Sequence, residues 1–534
     1  MTGRASRLEG RSGPASRLEG RSGPPLRARW LGRVRFGDAH ALQRALFERA
    51  TDPYLLLCEH HHVFTLGLRA SADHVLVPAA TVGAELVRTD RGGDVTYHGP
   101  GQLVGYPILS VPTVPGATPA YVASVEQLVI DVCAELGLAG AGRLGGYPGV
   151  WIDPGGPQPR KVCAIGVRRS RGRTMHGFAL NVAPDLRWFD HIVPCGIPDK
   201  GVTSLAAEGL AVTMADVVDA VVARAAERWG GGDVERADVS AETLPPGLAV
   251  GARKPEWLRV KLDTGDDYRR VKRTMRSLSL VTVCEEAGCP NIFECWNDGT
   301  ATFMINGDRC TRACGFCQVD TRRPSGPPDP AEPAKLAEAV AEMGLGHAVI
   351  TAVARDDLPD GGAAGFADAI RAVRRRCPAT TVEVLVPDCK GDPDALGVIF
   401  DARPDVLNHN LETVARLQRR VRPSASYARS LAVLGRAKAA GLVTKSGLII
   451  GMGETFEEVV AAMADLRSVG VDILTLGQYL RPTADHLPVA RWWAPEEFDR
   501  LRAEGQALGF AHVEASPLAR SSYHARQAAA AAGS

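Results

Sequence analysis

Six of the chain's twelve cysteines lie between residues 284 and 317, in two triplets: Cys284-x4-Cys289-x5-Cys295 and Cys310-x3-Cys314-x2-Cys317. This clustering constrains the fold more than any apolar pattern, because each triplet must bring three thiols to one point. A closed structural zinc site takes four ligands. An iron–sulfur cubane also takes four, one per iron. A triplet on one tight loop therefore leaves one metal position open to a small molecule. Two triplets side by side point to two metal centres with different tasks.

The remainder of the 534 residues bounds the surroundings of these centres. The length calls for more than one domain. With 62 basic against 61 acidic residues, the balance gives no reason to expect nucleic acid or an anionic membrane as a partner. No apolar run is long enough to cross a bilayer. The N-terminus has no apolar core of a secretory signal, so the cysteines read as metal ligands in a reducing compartment and the protein as cytoplasmic. Ala5–Pro14 reads ASRLEGRSGP and Ala15–Pro24 repeats it, which makes residues 1–28 a disordered tail.

Two units follow. Residues 29–232 mix strand-like runs (Val63–Leu66, Gln102–Leu109, Val162–Val167, Gly177–Val182) with helical periodicity over Asp38–Ala50 and Ala123–Leu136. Residues 233–253 turn to Gly, Pro, Ala and acidic residues and read as a linker; if flexible, it would reach roughly 25 Å. Residues 254–534 alternate strands (His347–Val353, Thr381–Val386, Asp405–Leu407, Leu442–Ile450, Asp472–Leu476) with helices (Ala363–Arg375, Ser426–Ala440, Phe456–Val469). Such alternation predicts βα units around a parallel sheet, with ligands at the carboxyl ends of its strands. Asn408–Asn410 fall just past one strand and Gly451–Glu454 just past another.

The C-x3-C-x2-C triplet ahead of a βα series resembles the radical S-adenosylmethionine (SAM) superfamily. Lys254-Pro255-Glu256-Trp257-Leu258, Val283–Asn291, Arg355–Gly362, Asn408–Thr413 and Arg520-Ser521-Ser522-Tyr523-His524 resemble lipoyl synthase over roughly residues 254–526. The resemblance implies a partial (β/α) barrel and two [4Fe–4S] clusters. Cys310, Cys314 and Cys317 would hold the cluster whose open iron binds S-adenosyl-L-methionine. Cys284, Cys289, Cys295 and the serine oxygen of Ser522 would hold an auxiliary cluster. Oxygen is a harder and weaker ligand for iron than thiolate, which suits a cluster dismantled to donate sulfur. The resemblance also places Asn410 and Glu412 near the SAM pocket; read alone, both could cap a helix. Two adenosyl radicals in turn would abstract hydrogens from C6 and C8 of a protein-bound octanoyl chain. Zinc remains an alternative for six cysteines, although these spacings differ from binuclear zinc clusters and no basic helix runs between them. Cys377 and Cys389 lie outside both triplets and read as inert.

In the first unit, Arg91-Gly92-Gly93-Asp94-Val95-Thr96-Tyr97-His98-Gly99-Pro100-Gly101-Gln102 combines glycines that let a backbone approach a ligand with Arg, Tyr and His for polar contacts. Lys161-Val162-Cys163-Ala164-Ile165-Gly166, His176-Gly177-Phe178-Ala179-Leu180-Asn181 and Pro194-Cys195-Gly196 follow in order. Together they resemble lipoyl(octanoyl) transferase over roughly residues 30–230, a family with the α/β fold of biotin and lipoate protein ligases. The resemblance puts the nucleophile on Cys195 and its partner on Lys161, with substrate contacts at Arg91–His98, Ala164–Gly166 and Gly177–Ala179. A free thiol has a pKa near roughly 8.5 and a nearby ammonium lowers it. An acyl group would pass from a thioester to Cys195 and then to an amine, with no need for ATP. Cys163, in an apparent buried strand beside Lys161, is the rival nucleophile and reads as packing. Adjacent histidines on an extended chain point to opposite faces, so His60-His61-His62 reads as an exposed loop rather than a metal site.

The expectation is thus a bifunctional enzyme. Octanoyl would pass from octanoyl-acyl carrier protein to a lysine of a lipoyl domain, on a 2-oxoacid dehydrogenase or the glycine cleavage carrier protein. Two sulfur atoms would then be inserted, with an electron donor as a further partner. An ATP-dependent lipoate ligase in the first half, a non-catalytic iron–sulfur protein, and sulfur insertion into a biotin precursor or tRNA are the alternatives.

Overall fold

The computed structural model describes residues 24–533 apart from 197–199, 250, 260–264, 279, 287–288, 290 and 298–301. All of the tandem repeat except Pro24 lies outside the described residues, as do Ile197 of the fourth transferase string and Ala287, Gly288 and Pro290 of the first cysteine motif.

Among the described residues the first half is built on a nine-stranded mixed sheet. Its spatial order is Val234–Asp238, Leu26–Val34, Tyr54–His60, Gln102–Ile108, Arg173–Asn181, Arg160–Ser170, Tyr147–Ile152 and Ala141–Leu144; the short strand Gly201–Val202 runs beside Arg160–Lys161. Both faces are buried, and the period-two alternation of strands divides the side chains between them. Leu55 and Leu57 enter one core with the helices Ala117–Glu135 and Met214–Trp229. Tyr54, Leu56 and Cys58 enter the other with the helix Phe36–Arg49. A three-stranded sheet of Glu85–Arg88, Val63–Leu66 and Val95–His98 sits alongside.

The second half is an open eight-stranded sheet in chain order: Val281–Thr282, Thr302–Ile305, His347–Ala352, Thr381–Leu385, Val406–Asn408, Val443–Ile450, Ile473–Gln478 and His512–Ala515. Every neighbour pair after the first antiparallel one is parallel. The strand-like and helical runs read from the sequence match these elements to within two residues. No helix of the described residues is long and apolar enough to cross a membrane.

The halves are joined by a common core. The Phe36–Arg49 helix packs along the helix Tyr427–Ala439, and one apolar cluster runs from Leu42 and Leu46 into Leu431, Leu434 and Leu466. The two helices come so close that a Cβ on Gly435 would lie 2.6 Å from the Ala45 Cβ. At the centre of this interface Arg29, on an inner strand of the first sheet, donates through Nε to both carboxylate oxygens of Asp465, at 3.0 and 2.8 Å. Asp465 also accepts from the Tyr54 hydroxyl (3.1 Å) and the Tyr427 hydroxyl (2.9 Å). Arg29 and Asp465 are 2% and 3% exposed, so the pair is shielded from water. Burial works against the Arg29 charge, but Asp465, Tyr54 and Glu235 more than offset it and hold its pKa well above the ordinary value.

The segment read as a linker is part of this structure. Val234–Asp238 pairs in parallel with Leu26–Trp30, and Leu244 and Leu248 pack on the common core. Leu248 also donates its backbone N–H to Val489 at 2.7 Å. The flexible-coil reach therefore does not apply here: a polar, acidic surface hid a strand whose pairing depends on an edge far away in sequence.

Breaking a buried ion pair by removing one partner leaves an uncompensated charge. Asp465→Ala is expected to lower unfolding free energy by about 3–5 kcal/mol. In denaturant, fluorescence and far-UV circular dichroism should show both halves unfolding in one transition; two separated transitions would contradict the common core.

Candidate active sites

The four strings of the first half converge. Ala164, Ile165 and Gly166 lie directly opposite Ala179, Phe178 and Gly177 on the adjacent antiparallel strand. Glycine is required at this crossing: a Cβ on Gly177 would lie 2.2 Å from the Gly105 carbonyl oxygen. Gly92 donates to Val167 O at 3.0 Å, which lays the Arg91–Asp94 turn over the same strands. Arg91 is buried and donates to the Thr65 carbonyl (2.7 Å) and hydroxyl (2.9 Å). Val95, Thr96, Tyr97 and His98 form a buried strand. Just ahead of this loop, Asp90 accepts from His176 Nε2 at 2.7 Å, and Arg168 pairs with its other oxygen. The His176 hydrogen bond, with the Arg168 charge beside it, holds the Asp90 carboxyl below the usual carboxylate range.

A relay of hydrogen bonds ties these strings to Lys161. His98 Nδ1 meets Gln102 Oε1 at 2.8 Å, Gln102 Nε2 donates to Asn181 Oδ1 at 2.9 Å, and Asn181 Nδ2 donates to Thr203 O at 2.9 Å. The Thr203 N–H in turn donates to Lys161 O at 3.0 Å. Lys161 is buried, with its ammonium 4.7 Å from the centre of the Trp151 ring. Cys195 lies in a one-turn helix, Pro194–Gly196; its side chain lies outside the described residues. The turn abuts the Arg91–Asp94 loop, since a Cβ on Gly196 would lie 2.6 Å from Asp94 Oδ2. The chain leaving Cys195 returns at Gly201–Val202 to pair with Arg160 and Lys161. Cys163 is fully buried in the apolar core, and burial pushes its thiol pKa well up, as expected for a packing residue.

The His60–His62 run departs from an exposed loop. His60 ends a strand with no exposure, bonded to Val34 O (3.0 Å) and the Tyr106 hydroxyl (2.7 Å). His62 stacks on Trp188 at 3.9 Å and meets the Tyr97 hydroxyl at 2.9 Å. His61 between them is exposed, as expected of a loop, whereas the rings on either side are held by partners distant in sequence.

In the second half, the loop carrying Cys310, Cys314 and Cys317 is pinned at the carboxyl ends of the strands. Thr311 donates to Ala354 O, Gly315 to Val421 O, and Leu487 to Gly315 O, each at 2.9 Å. Arg312 within it forks onto Asp356 (2.7 and 2.9 Å) and reaches Asp388 at 2.5 Å. Arg355–Gly362 is largely a scaffold: Arg355 clamps Asn306 O and Gly326 O, and Asp360 caps the helix Ala363–Arg376. Asn410 Nδ2 donates to Ser521 Oγ at 2.7 Å. Asn410 Oδ1 and Glu412 Oε2 are enclosed without a hydrogen-bond partner among the described residues. Such orphaned acceptors beside three thiols suit a polar ligand such as SAM.

Cys284, Cys289 and Cys295 line one pocket together with Ser522, Arg520 and Tyr523. The first triplet and the C-terminal RSSY string, more than 200 residues apart in the chain, thus meet. Burial pushes the Cys284 thiol up to about 11 and that of Cys317 up to about 12. Thiols held neutral by burial become thiolates when a metal binds. Three cysteines and a hydroxyl in one pocket, and three cysteines beside orphaned acceptors, both fit iron–sulfur clusters. The sequence motif gives Arg520 no role; in the structure it lines this pocket, within electrostatic reach of Cys289 and Glu412.

Three families match: the lipoyl protein ligase A/B catalytic domain over residues 36–226, the N-terminal domain of lipoyl synthase over 240–289, and the radical SAM superfamily over 304–466. A lipoyl synthase of Rubrobacter xylanophilus is 59% identical over 276 residues, 51% of this chain and 86% of that protein. The chain belongs to the lipoyl synthase family. Its first half carries a ligase A/B catalytic domain fused ahead of the radical SAM domain. The lipoyl synthase of Symbiobacterium thermophilum is 58% identical over 281 residues, 52% of this chain and 88% of that protein. A bi-partite lipoate protein ligase from Thermoplasma acidophilum is similar at 17% identity and a TM-score of 0.35, over 41% of this chain and 89% of that one. The lipoyl synthase assignment implies SAM and iron–sulfur clusters as cofactors.

Burial lowers His60 to about 4 and His98 to about 3 from 6.5. Both are buried neutral, so the unfolded chain takes up these protons first as pH falls. Their stabilising contribution is complete above pH 6.5 and is lost as pH falls through about 4 to 3. Melting temperature should drop across that window, and His60→Gln should flatten the drop; an unchanged profile would show that His60 does not contribute.

Proposed function

We propose that the chain makes protein-bound lipoate in two steps, the first in residues 29–232 and the second in residues 254–534. In the first, Cys195 attacks the thioester of octanoyl-acyl carrier protein. Its Sγ–acyl bond forms as the carrier thiol leaves with a proton. A lysine amine of a lipoyl domain then attacks the acyl-enzyme, the amide forms, and Cys195 recovers its proton. Lys161 is the partner that favours the thiolate and carries the proton between these steps. Arg91–His98, Ala164–Gly166 and Gly177–Ala179 line the acyl site. The observation that carries this reading is the return of the chain from the Cys195 turn onto the Lys161 strand, with that turn against the Asp94 loop. The carriers are lipoyl domains of 2-oxoacid dehydrogenases and the glycine cleavage carrier protein.

For the second step, Cys310, Cys314 and Cys317 hold one [4Fe–4S] cluster, and Cys284, Cys289, Cys295 and Ser522 hold the other. When bound, the first with SAM and an electron donor supplies hydrogen abstraction at C6 and C8, and the second supplies sulfur. Asn410 and Glu412 offer acceptors to SAM, and Arg520 places a positive charge within electrostatic reach of Cys289 and Glu412.

The matched ligase A/B family leaves ATP-dependent activation open as the second reading of the first half. Incubation with octanoyl-acyl carrier protein, without ATP, should add one octanoyl group to the chain by intact mass, at Cys195. Cys195→Ser should remove that adduct and slow transfer by at least about a thousandfold. Transfer that needs ATP and forms an acyl-adenylate would overturn the transferase reading. A Cys195→Ser chain with full transfer would overturn the nucleophile.

A further inference from the structure

We infer that the transferase half positions the radical-cluster loop, through Asp38. The inference rests on the reading of Cys310, Cys314 and Cys317 as the SAM-binding cluster ligands. Asp38 lies in the Phe36–Arg49 helix, buried at the interface, and accepts from Arg429 Nε at 3.0 Å. Arg429 turns its Nη1 to Asp388 Oδ2 at 3.5 Å. Asp388 has no exposure, and its other oxygen accepts from Arg312 at 2.5 Å. Arg312 sits between Cys310 and Cys314. Four charges of alternating sign thus run from the first half to the cluster loop, in a setting where water screens them little.

The element that carries this chain is a turn that does not hold its own shape. Cys389, Lys390 and Gly391 all have positive φ, at 44, 54 and 74°. Two consecutive non-glycine residues in that region persist only where their surroundings over-determine them. Much of the surrounding grip comes from the first half. Arg35 donates to Lys390 O at 3.1 Å, and Asp38 Oδ1 crowds Gly391 so closely that a Cβ there would lie 2.4 Å away. Arg436 donates to both Gly391 O (2.9 Å) and Gly37 O (3.2 Å), stitching the turn to the transferase helix. On its other side the turn holds the cluster loop through Asp388 on Arg312, and Lys390 Nζ donates at 2.6 Å to the carbonyl of Asp356, the other residue on which Arg312 forks. A displacement of the Phe36–Arg49 helix therefore reaches Arg312 through two residues. Asp38 lies in the ligase A/B domain, so this hold is made across the two halves of the fused chain.

The test compares the full chain with Asp38→Ala, Asp38→Asn, Asp38→Glu and, as an interface control away from the turn, Tyr54→Phe. Three quantities are read. One is amide hydrogen exchange at 310–317 and 388–391 in the cluster-free chain. The others are the SAM-induced change in the electron paramagnetic resonance spectrum of the reduced, reconstituted chain, and KM against kcat for SAM cleavage. Asp38→Ala and Asp38→Asn should speed exchange in both segments, alter the SAM-induced spectrum and raise KM for SAM by about two- to thirtyfold. Octanoyl transfer should be unchanged, and Asp38→Glu should restore part of each effect. Tyr54→Phe should lower melting temperature and leave all three readouts at wild type. Wild-type behaviour of the Asp38 variants, or equal changes from Tyr54→Phe, would overturn the inference. If the wild-type spectrum does not respond to SAM, the cluster assignment fails, and the exchange measurement still decides the hold.

Discussion

The structure depends on a carboxylate that one half of the chain buries and the other half neutralises. Asp465 sits on the helix Phe456–Ser468 of the radical SAM half, anchored at its start by the Thr455–Glu458 capping box. Its charge is met by Arg29 and Tyr54 from the first half and Tyr427 from the second. Burying an isolated carboxylate would cost far more than the surrounding leucines return. The helix can pack where it does only if the strand carrying Arg29 is already there. A buried pair of this kind is weak evidence for extra stability. It does specify which surfaces meet, since a shifted docking would strand both charges.

That docking brings the Phe36–Arg49 helix against Tyr427–Ala439, and the latter helix carries Arg429 and Arg436. Each half then organises its own chemistry by polar scaffolding. In the first, a hydrogen-bond relay from His98 to the Lys161 backbone fixes the relation between the YHGPGQ, ALN and lysine strings. In the second, Asn410 on Ser521 ties the mouth of the sheet to the RSSY string that lines the pocket of Cys284, Cys289 and Cys295. Several of the most recognisable motifs thus act as framing. Arg355–Gly362 clamps backbone and caps a helix, and His409 bridges Val386 O and Ser430 while burial lowers it to about 4.

Much of this was legible in the chain. The two cysteine triplets and the four transferase strings are local patterns with little freedom in spacing. The βα series shows in hydrophobic periodicity because each parallel strand is buried on both faces. The meeting of Ser522 with the first triplet was reached through resemblance, since no local rule links positions so far apart. What could not be read is what depends on distant partners. Val234–Asp238 is polar and acidic and becomes a strand only because Leu26–Trp30 offers an edge. His60 looks like part of a polar loop and is buried because Val34 and Tyr106 satisfy its ring. The Arg29–Asp465 pair leaves no periodic signature, so two units joined by a linker was the natural reading of a chain whose halves share a core.

The central claim is that one chain carries out both acyl attachment and sulfur insertion on the same carrier. The most direct measurement is the intact mass of a purified lipoyl domain, incubated anaerobically with the reconstituted chain, octanoyl-acyl carrier protein, SAM and reductant, without ATP. The account predicts octanoyl addition first and then conversion to the lipoyl mass, with octanoyl-domain accumulating when SAM is left out. No acyl gain in the absence of ATP, or an octanoyl-domain that never gains sulfur in a chain shown to cleave SAM, would contradict it.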